Sequence, residues 1–125
     1  MQYSESQEMY LETILLLQQQ RGYARRVEIA EGLGFSKPSV TCAIRLLKDK
    51  GYIIENERNH IRLTPKGYSR ATAVYERHHL ITQLLIHLGA EPSVAEENAC
   101  RIEHVISADL TDTIRKYMNE AVVFR

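Results

Sequence analysis

The sequence predicts a mainly α-helical protein, an N-terminal winged helix-turn-helix with a β-hairpin wing followed by an all-helical domain. Three observations carry that prediction. Helical spacing of apolar residues is stopped cleanly three times before residue 52; the period then shortens across "YIIENERNHIRLT"; and helical spacing resumes at Thr64-Pro65. The expected division is residues 1–70 for the winged helix and 71–125 for the helical domain.

Each element has a local reason. Ser4 with Gln7 forms a capping-box pattern, and Met9, Leu11, Ile14, Leu15 and Leu17 suit a helix that ends near Gln20, before Arg21-Gly22. A short second helix fits "RRVEIAEGLG", with Gly34 as its stop. The third opens with Ser36 as N-cap and Pro38 in its first turn, sets Val40, Ala43, Ile44 and Leu47 on one face, and stops at Gly51. Two short strands, Tyr52–Glu55 and His60–Thr64, flank a polar turn at Glu57-Arg58-Asn59. Thr64-Pro65 restarts a helix that continues to Gly89, a fifth begins at Pro92-Ser93 and runs to about Ser107, and a sixth runs from Asp109 or Thr111 to about Asn119. No internal repeat or Gly/Ser linker interrupts the chain, so the fourth helix is expected to join the two domains.

The net charge of zero hides a segregation: residues 1–20 carry −3, residues 21–70 carry +6 and residues 71–125 carry −3. A basic middle between acidic flanks points to a polyanion-binding module joined to elements of another purpose. An apolar fraction of 44% fits a globular domain, and "TILLL" is too short to span a membrane. With no signal-like start and only Cys42 and Cys100, the chain is expected to be cytoplasmic, its cysteines serving as core fillers, ligands or reactive thiols.

In a helix-turn-helix the second helix enters the major groove by its N-terminal residues, here Ser36, Lys37, Pro38, Ser39, Thr41 and Cys42, with Arg45 one turn on. Small hydroxyls permit close approach, while Arg25, Arg26, Lys48, Arg58 and Arg62 would surround them with phosphate contacts. Any one of these cations has a plainer reading as a solvated surface charge. Their order along a helix, tight turn, hydroxyl-rich helix and hairpin favours double-stranded DNA.

A second constellation lies in "ENACRIEHVIS", where Cys100, Glu103 and His104 stand at i, i+3 and i+4 beside an apolar face of Ile102, Val105 and Ile106. Thiolate, carboxylate and imidazole are all metal donors, and Glu96 lies four residues before Cys100. The fourth helix offers His78 and His79, and the first offers Met9 and Glu12. Taken singly, Cys100 reads as a small buried hydrophobe, Met9 as core, Glu103 as a solvated acid and His78 with His79 as a surface pair.

Taken together, "EMYLETI", "KPSVTCAIRLLKDKGYI", "LTPKGYSRA", "ERHHLITQLL" and "ACRIEHVIS" resemble the diphtheria toxin repressor family of metal-dependent transcriptional regulators, which includes the manganese transport regulators. The resemblance runs from about Tyr3 to Met118. It implies a homodimeric repressor, not an enzyme, in which a divalent ion bridging two domains drives binding to palindromic operator DNA. By position, Met9, Cys100, Glu103 and His104 match the primary metal site of the iron-responsive branch; His78 matches a ligand of both branches, and Glu12 one of the manganese branch. The sulfur donors Met9 and Cys100 favour Fe²⁺ over Mn²⁺, which stays the alternative. Thr82 and Glu96 replace an acid and a histidine of the iron branch's ancillary site, so a complete second site of that type is not expected, although Glu12, His78 and Glu96 could supply a variant. The SH3-like domain of many iron-branch members is not expected after Arg125, and the tail "EAVVFR" carries no reading.

Leu80, Leu84, Leu85, Leu88, Ile114 and Tyr117 exceed what a small domain needs and are candidates for the dimer interface, with packing inside the monomer as the alternative. Two rival functions stand beside this one: a winged-helix regulator sensing redox through Cys100, and a small metalloenzyme with a Glu base. No membrane or small-molecule substrate is expected as a partner.

Overall fold

The computed structural model describes the backbone of residues 2–123 and the side chains of residues 7–121. Six helices and one hairpin follow in the order α1 (Gln2–Arg21), α2 (Arg26–Leu33), α3 (Lys37–Asp49), β1 (Ile53–Glu55), β2 (Ile61–Leu63), α4 (Pro65–His87), α5 (Pro92–Ile102) and α6 (Ala108–Val123). The chain divides into two compact units, residues 1–73 and 74–125, and the division falls inside α4. No helix among the described residues is long and apolar enough to cross a membrane.

In the first unit α1, α2, α3 and the hairpin close around one core, built on Leu11, Ile14, Leu15, Ile29, Val40, Ile44, Leu47, Ile53 and Ile61. Local signals set the joints. Gly34 takes the left-handed conformation at φ 70° that ends α2. Ser36 caps α3, its Oγ accepting from the Ser39 N–H at 3.3 Å. The strands pair antiparallel with Ile53 opposite Leu63 and Glu55 opposite Ile61. Against the sequence prediction β1 starts one residue later and β2 is one residue shorter at each end, but pairing continues past them, since Thr64 N–H donates to the Tyr52 carbonyl at 2.9 Å and Asn56 N–H to the His60 carbonyl at 3.1 Å. Asn59 turns the hairpin at φ 62°, and Asn56 Oδ1 accepts from the Arg58 and His60 N–H groups. One pairing was not foreseen: Ala24, between α1 and α2, bridges Ile61 and lends β2 a short third edge. On α1, Gln18 accepts from the Leu63 N–H at 2.8 Å. Thr64 caps α4 by accepting from the Gly67 N–H, and Gly67 packs so closely on the Tyr52 carbonyl that a Cβ there would overlap it.

Glu55 is the polar centre of this unit. Its side chain is 5% exposed and takes a bidentate pair from Arg26, at 2.9 and 2.7 Å, plus Lys48 Nζ at 2.6 Å. Arg26 first, by hydrogen bonding, and then Lys48 outweigh burial and hold the carboxyl down to about 2.

The second unit has a thin apolar core, and among its described residues only Val74, Ile81, Ala95 and Ala99 are buried hydrophobics. Leu88, Val94, Val105, Leu110 and Tyr117 are exposed.

Three expectations are corrected here. Helix α1 begins at Gln2, so Ser4 does not cap it; the Ser4 side chain lies outside the described residues. Helix α5 ends at Ile102 rather than near Ser107: Glu103 N–H still bonds back to Ala99, but Val105 N–H turns to Ile102, and Val105 is 66% exposed instead of joining the apolar face. Two adjacent β-branched residues and the use of Ser107 as the cap of α6 end the helix there. Ser107 Oγ accepts from the Leu110 N–H at 3.1 Å, so α6 starts at Ala108, and with no Gly or Pro after Asn119 it continues to Val123. Within the tail "EAVVFR" the side chains from Val122 onward lie outside the described residues.

Two outcomes follow for stability. Because the folded pKa of Glu55 is depressed, its contribution is complete above the unfolded value of 4.5 and is lost as pH falls toward about 2. Glu55→Gln should therefore cost about 2 kcal/mol near neutral pH, the full linkage being discounted for the half-exposed cations, and the deficit should shrink in acid; urea melts of both proteins across that range measure it. Gly67→Ala should cost at least about 2 kcal/mol in the same melts, because the colliding atom is backbone.

Candidate metal centre and nucleic-acid interface

The metal-donor cluster forms within the second unit. His78 projects from α4, Cys100 from the last turn of α5, and Glu103 from the residue that caps α5. One donor atom from each lies within 4.8 Å of the others. Glu103 is 0% exposed; His78 Nδ1 stands 2.8 Å from one of its oxygens and His104 Nε2 3.1 Å from the other. Proximity is not pairing here, because among the described residues neither Glu103 oxygen nor His78 Nδ1 has a partner in hydrogen-bond geometry. A carboxylate removed from water without hydrogen bonds is costly, and it also stands at the negative end of α5. A Glu103 carboxylate and a His78 Nδ1 this close yet out of hydrogen-bond geometry fit a bound cation better than a salt bridge. Carboxylate, imidazole and thiolate together suit a divalent transition metal.

The single-residue readings of Cys100 and Glu103 are both inverted. Cys100 is exposed where a buried apolar role was expected, and Glu103 is buried where a solvated one was. Of the histidine pair, His78 is half-buried toward the cluster and His79 is exposed. Glu96 reaches only to 4.0 Å of His78 Nε2 and is largely solvated. Thr82 spends its hydroxyl on the His78 carbonyl at 2.8 Å. Met9 and Glu12 belong to the first unit, half-buried on α1 one turn apart.

In the first unit, α3 buries Val40, Ile44 and Leu47 and leaves Ser36, Lys37, Pro38, Ser39, Thr41, Cys42 and Arg45 exposed. That split makes one polar face suited to a groove. Arg25, before α2, and Arg58 and Arg62, on the hairpin, are also exposed. Arg26 and Lys48, expected at phosphates, are instead held on Glu55. Sequence reasoning missed Glu55, and the only available signal was an acid among basic residues at a strand end. It also passed over Tyr23 and His60, whose rings stack at 3.7 Å.

Two family models match nearly end to end: the iron dependent repressor N-terminal DNA binding domain over residues 2–61, and the iron dependent repressor metal binding and dimerisation domain over residues 64–122. A regulator of Lysinibacillus sphaericus, the HTH-type transcriptional regulator MntR, is 34% identical over 109 residues, 87% of this chain and 78% of its own length. The chain belongs to the iron-dependent repressor family. The diphtheria toxin repressor of Corynebacterium diphtheriae is 31% identical over 93% of this chain, and the crystal structure of the metal-dependent transcriptional regulator MtsR superposes with a TM-score of 0.83 at 28% identity over 90% of it. This chain spans about half of each of those two, 52% and 53%. Fold class and family thus agree with the sequence reading.

The orphaned carboxylate sets a test. Glu103→Gln should leave the metal-free protein at least as stable, since it removes a buried charge, yet it should abolish the rise in Tm that saturating Mn²⁺ or Zn²⁺ gives the unaltered protein. Thermal melts with and without metal separate the two effects.

Proposed function

We propose that the protein is a metal-dependent transcriptional repressor, cytoplasmic and homodimeric, which binds palindromic operator DNA when Fe²⁺ or a similar divalent ion is held at Cys100, Glu103, His104 and His78. The observation that carries this reading is the buried Glu103 carboxylate, free of hydrogen bonds beside His78 and Cys100. The family's pattern adds Met9 as a ligand and Glu12 and Glu96 as variant ones. A divalent ion supplies the positive charge that Glu103 lacks.

The remaining parts belong to the chain. Ser36, Lys37, Pro38, Ser39, Thr41, Cys42 and Arg45 meet base edges, while Arg25, Arg58 and Arg62 hold phosphate. Arg26 and Lys48 act chiefly through Glu55, which fixes the wing beside α2 and α3. The half-buried Leu80, Leu84, Leu85 and Ile114, with exposed Leu88 and Tyr117, supply an apolar surface that the thin core of the second unit does not use. A second subunit covering them would supply the burial that so small a unit needs. Because ligands come from both ends of the chain, DNA and metal should each raise affinity for the other by the same factor.

Sulfur at Met9 and Cys100 supports iron over manganese. Anaerobic titration of DNA from the chain's own upstream region with Fe²⁺, Mn²⁺ and Zn²⁺ tests both levels. Metal should raise affinity at least tenfold, with Fe²⁺ effective at the lowest concentration, and Cys100→Ala or His104→Ala should abolish the increase. Mn²⁺ acting first would overturn the iron assignment alone, whereas oxidant sensitivity without metal dependence would favour the thiol reading of Cys100.

A further inference from the structure

The loop before α2 and the start of β2 are joined where Ala24 and Ile61 exchange two backbone hydrogen bonds, at 2.9 and 2.8 Å. The residue before each, Tyr23 and His60, meets its counterpart face to face, with ring centroids 3.7 Å apart and planes 12° from parallel. Two guanidinium groups lie over the same tyrosine ring, Arg21 at 4.6 Å and Arg25 at 5.9 Å from its centroid. The wing adds Arg58 from the turn and Arg62 from β2, and all four arginines are exposed. Arg21 pairs with Glu28 of α2; among the described residues Arg25, Arg58 and Arg62 have no carboxylate partner.

Four like charges around one imidazole are unfavourable unless an anion answers them. Desolvation, and then Arg25, Arg58, Arg21 and Arg62, hold the His60 imidazole below the ordinary value of 6.5. Among the described residues no acid is among the groups acting on it; the nearby Glu28 pairs with Arg21 and accepts from the Arg25 backbone N–H at 2.9 Å. A polyphosphate backbone laid along the wing would screen the arginines and reverse the field at the ring.

We propose that the Tyr23–His60 stack with its arginines is a proton-linked phosphate-binding element, in which Tyr23 positions Arg25 and His60 gains a proton as DNA phosphate arrives. This rests on the DNA-binding reading above. By linkage, binding that takes up a proton strengthens as pH falls. The sign is opposite to that of metal binding, which weakens in acid because thiolate and imidazole must be deprotonated. The two dependences are therefore separable when metal is kept saturating.

The test is fluorescence anisotropy of the full chain with a short random-sequence DNA duplex, at constant ionic strength and saturating Mn²⁺, between about pH 8 and about pH 6. The unaltered protein should gain roughly tenfold in affinity relative to His60→Gln across that range. Tyr23→Leu should weaken binding at every pH and lower the salt dependence by about one phosphate contact. Parallel pH profiles for the unaltered protein and His60→Gln, at equal or uniformly reduced affinity, would overturn proton linkage while leaving DNA binding intact. Absence of duplex binding by the unaltered protein at every pH would overturn the DNA-binding reading itself.

Discussion

A carboxylate with no exposure and, among the described residues, no hydrogen bond is the constraint around which the second unit is arranged. Burying a carboxylate as an ion costs several kcal/mol even after local relaxation, and Glu103 sits wholly buried at the end of α5, where the helix dipole would add to that cost. The apolar residues of this unit do little to offset it, since its buried hydrophobics are few and two are alanines. Ala95 and Ala99 are buried on the same helix that carries Cys100, which with Glu103 comes within 4.8 Å of His78 by one donor atom each. A cation bound there would offset that cost, and a ligand shifts a conformational balance only by interacting differently with the two states.

Glu55 answers the same problem the opposite way. It too is almost wholly buried, but Arg26 and Lys48 satisfy it with three charge-assisted hydrogen bonds. The result is a rigid wing root beneath an exposed recognition face on α3. One buried acid is satisfied by two cations of its own unit; the other has no partner in hydrogen-bond geometry among the described residues. The contrast comes from partner geometry, since the side chains are chemically identical.

Much of the first unit was legible because its signals are local. Ser36 before Pro38, Thr64 before Pro65 and Gly34 after α2 act through backbone groups three or four residues away, so their spacing in the sequence is also their geometry. The fate of α5 beyond Ile102 was less legible, because apolar spacing allowed a longer helix and the competing demand came from Ser107 as the cap of α6. Arg26, Lys48 and Glu55 lie up to twenty-nine positions apart, and no periodicity pairs them. Tyr23 and His60 meet only because Ala24 bridges Ile61.

Residue types and their spacing alone therefore determined the helical class, the hairpin and the basic middle and nominated candidate metal donors, since each depends on neighbours along the chain or on chemistry carried by a single side chain. Tertiary structure decided what each donor and cation is free to do. Burial took Glu103 out of water beside His78 and His104, exposure took Cys100 out of the core, His78 rather than His79 turned toward the cluster, and Glu55 tied up the charged ends of Arg26 and Lys48 while leaving both over a third exposed. Desolvation and partner geometry are properties of distant segments brought together, so they are not encoded in any one stretch of residues.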